Sequence, residues 1–382
     1  CAFFQQDAVA AERDAFALTP DDFAAVNPNT GTAPVFRTPR DAAITRAIYH
    51  RMPVLVDRRQ DPPVSLWPVR YLRMLDMTND SDKFITADEL RARGAYEVQG
   101  GRWEKGSATW LPLVVGRSFH QFDHRAASVV ENPANVQNPF ISKPTTDKEH
   151  ADPDFALRPQ FWVAETNIDW PTGIEAAIAF RDIARPTDVR TVIACAMPKA
   201  AFGNTSPLLL PTPASANATY EYRRDVLLWV ANLNAMVLDY VARQKVQSTH
   251  LNFYILEQLP FVPMDAFARR FGTKTAADIV RQDTLRLTYT AHDMDAFAAE
   301  QGYAGAPFPW DPEDRLRRRA RIDAVFFHLY GLDRDDASYV MDTFPILRGQ
   351  EEVAYGKYRS RDLVLNYMAA LAAGNPDAKV AA

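Results

Sequence analysis

The sequence predicts an α+β protein: a mixed α/β region followed by a helical C-terminal region. Three observations carry this. Short β-rich apolar runs and helical stripes alternate up to about residue 264. Beyond that point the apolar spacing is almost entirely helical. The composition, 47% hydrophobic and 24% charged, is that of a globular chain. At 382 residues the chain is long for one domain. It divides into 1–63, 64–264 and 265–382.

The elements follow in order. Ala2-Phe3-Phe4 is too short to be a strand alone, and is expected as the last strand of a sheet whose other members are missing. A turn-rich loop over 27–39 leads into an amphipathic helix over 40–51, with Ala42, Ile44, Ala47 and Ile48 near one face. Residues 52–56 then begin a strand. Residues 65–69 and 71–72 are apolar and aromatic, and Thr86 is placed to cap a short helix over 87–93. Residues 110–115, 158–163 and 190–195 read as strands from their Val, Ile, Phe and Trp content. Residues 133–154 read as a long polar loop. The strongest helix covers 222–241. Val226, Val230, Leu233, Val237 and Val241 recur at helical spacing, and Leu228, Ala231 and Leu238 widen the stripe, which predicts deep burial. Residues 252–260 read as a strand. Helices are then expected over 265–271, 274–282, 291–301, 311–330, 334–342 and 358–373.

Composition excludes several classes. The two cysteines, Cys1 and Cys195, build neither a disulfide framework nor a Cys-type zinc site, which fits a reducing cytoplasm. No run of 18 apolar residues is present, so no membrane-spanning helix is expected. No basic stretch precedes an apolar core at the N-terminus, so no signal peptide is read there. A net charge of −5 argues against a nucleic-acid coat over the whole surface, but leaves room for a local basic cleft. A chain opening on Cys1 rather than Met is expected to be a fragment or a processed form.

Catalytic motifs are absent from the sequence. Adenine methylation needs a Gly-rich loop for S-adenosylmethionine and an Asn-Pro-Pro-aromatic loop for a flipped base. Asn138-Pro139-Phe140 comes nearest and lacks the second proline. Asp152-Pro153-Asp154 has no Glu-x-Lys partner for a nuclease, and no Walker loop exists. No catalytic, cofactor or metal residue is therefore assigned.

Polar clusters remain. In His120-Gln121-Phe122-Asp123-His124-Arg125, a strand would place His120, Phe122 and His124 on one face and Asp123 on the other, so a metal would lack a third local ligand. The same side chains can read base edges or phosphates, or can form an internal Asp–Arg pair. Arg181, Arg185 and Arg190 flank a buried strand, and suit either phosphate contact or an ion pair with Asp182. Arg243 and Lys245 close a helix, where the helix dipole favours cations without any function. His250 and Asn252 lie in the polar loop that follows. The run from Arg315 to Arg321 holds five arginines within about two helical turns, either a solvated face or a local phosphate-attracting field.

Several of these stretches together resemble one family. Residues 27–55 are similar to the segment that follows the methylase fold in large adenine-specific DNA methyltransferases of type IIG-like restriction–modification and phage-defence systems. Ser118-Phe119-His120-Gln121-Phe122-Asp123-His124-Arg125 resembles the start of their target-recognition domain, and residues 178–194 its interior. Residues 232–260, through Asp239-Tyr240-Val241-Ala242-Arg243-Gln244-Lys245, Thr249-His250-Leu251-Asn252 and Gln258-Leu259-Pro260, resemble its end, a pattern also similar to type I specificity subunits. Ala324–Leu332 and Met341–Ile346 look similar too. The resemblance implies that 1–63 is a methylase remnant and connector and 64–264 a target-recognition-like domain. It implies double-stranded DNA and a methylase domain or subunit as partners, with S-adenosylmethionine belonging to the whole enzyme only. The DNA-contact candidates are His120, Gln121, Asp123, His124, Arg125, Arg181, Arg185, Arg243, Lys245, His250 and Asn252. The alternative is a non-catalytic scaffold or partner-binding subunit.

Overall fold

The computed structural model describes residues 7–13, 15–132, 135, 140–213, 215–246 and 249–381. Ala2-Phe3-Phe4 lies outside the described residues, as do Asn138 and Pro139. The architecture is α+β, with two larger, mainly antiparallel sheets, three two-stranded ones among the described residues, and a helical C-terminal region.

A four-stranded sheet lies in the main core, in the order Ala194–Pro198, Ala176–Phe180, Leu208–Pro211, Val69–Leu72. Its inner strand, Ala-Ala-Ile-Ala-Phe, is buried along its whole length. Three alanines keep that strand thin, and the helix Ala218–Asn234 packs against the sheet. Tyr222 of this helix pins the two together: its hydroxyl accepts from Ile178 N and donates to Leu209 O. The second sheet runs Phe84–Ile85, Trp162–Ala164, Ala108–Val114, Arg102–Lys105, Tyr96–Val98, and Ala201–Phe202 joins it parallel to Ala108–Val114. It holds a small core of its own around Leu90, Trp103, Trp110 and Trp162. The largest core is continuous from Val26 to Leu371 and draws residues from all three sequence segments.

The connector is built as its residues dictate. Thr38 and Asp41 form a reciprocal capping box at the start of the helix Pro39–Arg51. The same Asp41 carboxylate accepts from the hydroxyls of Tyr240 and Tyr339, which ties the connector to helices of the other two segments. Residues 53–55 then run beside 259–261, with Leu55 N donating to Leu259 O and Phe261 N to Pro53 O.

Several expectations need correction. The predicted helix over 222–241 is two helices, Ala218–Asn234 and Met236–Lys245, bent by 59° at Ala235. The break is held from outside: the Asn234 amide pairs with both backbone groups of Ala194, and Asp323 caps Met236 N at 2.8 Å. The strand read over 190–195 begins only at Ala194, because Thr191 N and Arg190 are drawn to Asp239. Residues 252–260 carry a single helical turn, Phe253–Leu256, instead of a strand, and that turn buries Ile255 and Leu256 side by side. The loop read over 133–154 contains the strand Phe140–Pro144, paired with Ala127–Glu131, and the helix Asp147–Ala151, started by a Thr146/Glu149 capping box. Residues 265–275 form a 3-10 turn and a small hairpin closed at Gly272, whose φ of +62° suits glycine. The helix Pro345–Tyr355 is absent from the sequence reading. Its apolar residues Ile346, Val353 and Tyr355 are exposed, so little core packing marks it. Among the described residues no single helix is long and apolar enough to cross a membrane. The bent pair passes by length and composition only when joined, and it is a buried core element.

Candidate functional site

Residues 120–123 form a tight turn, so the strand geometry weighed for a metal site does not arise there. His120 N donates to Asp123 O and Asp123 N donates back to His120 O. Phe122 takes φ +57° within it, a left-handed conformation that costs a non-glycine residue about 1–2 kcal/mol. The surroundings hold it there. The Phe122 ring is buried, its N–H reaches Ala194 O, and its carbonyl accepts from Arg315. The amide nitrogen of Gln121 donates to the carbonyls of Val192 and Asn234.

The turn divides the six-residue cluster. His120, Gln121 and Asp123 line an open cleft of about 510 Å³ together with Arg181. His124 turns instead toward a second cavity of about 370 Å³, where its Nε2 meets Asp293 at 2.9 Å. Arg125 has no exposed surface. Its guanidinium donates to the carbonyls of His150, Asp152, Phe155 and Thr290, which holds the Asp147–Ala151 region against the helical one. Arg125 and His124 therefore cannot touch duplex DNA in this conformation, because both side chains are buried.

The cleft carries four arginines, Arg117, Arg181, Arg315 and Arg319, against two aspartates, Asp123 and Asp147. Arg181 is set by Phe119, whose carbonyl accepts from both its Nε and Nη2. Asp123 is tied to His150 Nε2 at 3.0 Å. Burial alone would raise the Asp123 carboxyl, but the bond to His150 and the charge of Arg315 outweigh it and hold the group at about 2. His150 stacks on Trp310, the Arg315 guanidinium lies 3.7 Å from the centre of the same ring, and Trp310 Nε1 donates to Asp147. Burial, then the neighbouring Arg181 and Arg319, drive His120 down to about 3, so it is neutral at physiological pH. The cleft can thus offer fixed cations and a neutral imidazole to an anionic partner.

The other sequence candidates lie elsewhere. Arg185 is exposed on a loop outside the cleft. Arg243 donates to Asp239 and to the carbonyls of Pro186, Asp188 and Val189, so it is a loop pin. Lys245 lines a separate pocket of about 230 Å³ and donates to Val26 O and Asn27 Oδ1, and burial lowers its amine to about 7. His250, about half exposed, pairs with Asp182. Asn252 stands before the turn Phe253–Leu256. Sequence reasoning missed Arg117, His150 and Trp310 and did not separate Arg315 and Arg319 from the rest of the basic run. The i, i+4 spacing of those two was the available signal, since it puts both on one helix face. Among the described residues no group of three or more His, Cys, Asp or Glu side chains converges as a metal would require.

The chain matches no protein-family model and no curated protein.

Proposed function

We propose that this chain is the DNA target-recognition part of a site-specific adenine-N6 DNA methyltransferase, acting without a catalytic domain of its own. One observation carries the reading: four arginines line a single open cleft with His120 and Gln121, in a chain whose net charge is −5. Cations gathered in one concavity of an acidic protein focus attraction for a polyanion there. Phosphate contacts from Arg117 and Arg181 would set register, and polar side chains on the rim would read base edges. The chain has neither a Gly-rich loop ahead of a helix nor an Asn-Pro-Pro-aromatic loop, so its residues do not fit S-adenosylmethionine. That cofactor would belong to a methylase domain or subunit.

The test is binding of this chain to randomised duplex DNA over a salt series. Affinity should fall steeply with salt, and Arg117→Ala, an exposed residue with no partner among those described, should reduce the log–log slope by about 0.9. No binding to any duplex at low salt would defeat the proposal. It would favour instead a partner-binding subunit, which the exposed Ile346, Val353 and Tyr355 of the helix Pro345–Tyr355 support.

A further inference from the structure

The helix Pro312–Leu329 carries five arginines between residues 315 and 321, and four of them are held by partners. Arg315 donates to the carbonyls of Leu287 and Phe122. Arg317 pairs with Glu313, Arg318 with Asp283 and Asp314, and Arg321 with Asp283. Arg319 makes no hydrogen bond or ion pair with any described residue, and its Nε is buried without a partner. The carboxylates nearest in charge terms, Asp323 and Glu351, are engaged elsewhere. Asp323 caps Met236 N, and Glu351 accepts from Ser360. A part-buried guanidinium whose Nε is shut off from water and left unpaired destabilises the fold unless something anionic meets it.

Arg319 lines the cleft beside Arg181, His120 and Gln121. We infer that this part of the cleft, formed by Arg319, Arg181 and His120, is a seat for one phosphate group. The planar fork of Arg319 matches two phosphate oxygens, and Arg181 is already oriented by its bonds to Phe119 O. The His120 ring has no protein partner among the described residues and, being neutral, keeps one N–H to donate. The remaining charged groups leave the seat positive. Asp123 is tied to His150, Asp147 to Trp310, Arg190 to Asp239, and Arg117 stands free on the rim. The phosphate can come from a DNA backbone, in which case the inference rests on the function proposed above, or from a free phosphate compound.

The experiment follows the His120 ring signal by NMR across pH in the full chain, alone, with inorganic phosphate, and with a short duplex at low salt. A seated phosphate offsets the repulsion from Arg319 and Arg181, so the His120 midpoint should rise by at least about one pH unit, a tenfold gain in proton affinity. Arg319→Ala should abolish that response and, in the free protein, raise the midpoint by removing one repelling charge. Arg319→Gln, which keeps most of the volume, guards against a folding artefact, and a thermal melt of both variants confirms the native state. A response to phosphate but not to duplex upholds the seat and overturns the DNA reading. Salt-sensitive duplex binding that Arg117→Ala weakens, with His120 unmoved by either ligand, overturns the seat and leaves the DNA reading standing. An Arg319→Ala protein that responds as the parent does also overturns the seat.

Discussion

Asp239 is a fully buried charge and Arg319 a part-buried one, and they are treated oppositely. At Asp239 one fully buried carboxylate receives Arg190 at 2.6 Å, Arg243 at 3.2 Å and the backbone N–H of Thr191. The two arginines turn their remaining donors to carbonyls of the 186–189 loop and Asn234. At the cleft, Arg319 has neither carboxylate nor carbonyl. Arginine in a buried setting is therefore no guide to function by itself. Whether its hydrogens are already taken separates a structural pin from a group awaiting a ligand.

The contrast can be broken most forcefully at the satisfied node. Asp239→Ala leaves two arginines facing each other without an anion, and should cost about 3–5 kcal/mol by urea unfolding. A loss below about 1 kcal/mol would show that the node does not hold the 186–189 loop. The second effect comes from Asp323, which burial pushes up to about 6 despite Arg190 and Arg319 nearby. A carboxyl raised in the folded state contributes stability that is full below pH 4 and is lost as pH rises through 6. Asp323→Asn should remove that slope and stabilise the protein at pH 7 by about 2–3 kcal/mol, provided the amide oxygen still caps Met236 N. Asp123 behaves in the opposite sense. Its carboxyl is depressed to about 2, so its contribution of about 2 kcal/mol is present above pH 4 and disappears as pH falls through 2. Asp123→Asn should flatten the acid limb of the stability profile, and an unchanged limb would remove Asp123 from the acid response. The smallest effect is expected at Arg319. Arg319→Ala should cost no stability without ligand and should raise it slightly, by about 0.5 kcal/mol, since no partner is lost and an unpaired charge is removed. A loss matching that of Asp239→Ala would erase the contrast.

Local chemistry was legible in the sequence. Thr86 caps its helix as expected, the helix predicted over 40–51 starts one residue earlier at Pro39, and Arg334–Asp342 spans the range read from spacing. Features imposed from a distance were not legible. The bend at Ala235 depends on bonds to Ala194 and Asp323 that span 40 and 87 residues of chain, and an apolar stripe carries no trace of either. The turn at 120–123 was hidden for a related reason. No glycine marks its left-handed residue, and the β-prone Phe122 is forced there by contacts to Ala194 and Arg315. The cleft was half visible: His120, Gln121, Asp123 and Arg181 came from the sequence, whereas Arg315 and Arg319 reach it only through the packing of the helical region.

The locked turn also limits how the cleft could be remodelled. Adding or deleting a residue between His120 and Asp123 would break both cross-turn hydrogen bonds and unseat Phe122 from the core. The strand Phe140–Pro144, paired with Ala127–Glu131, contributes the exposed Ser142 and Pro144 to the same cleft, and residues 141–144 are exposed and seated in no core. A designer wishing to change what the cleft accepts would graft new side chains onto that strand and leave the turn alone.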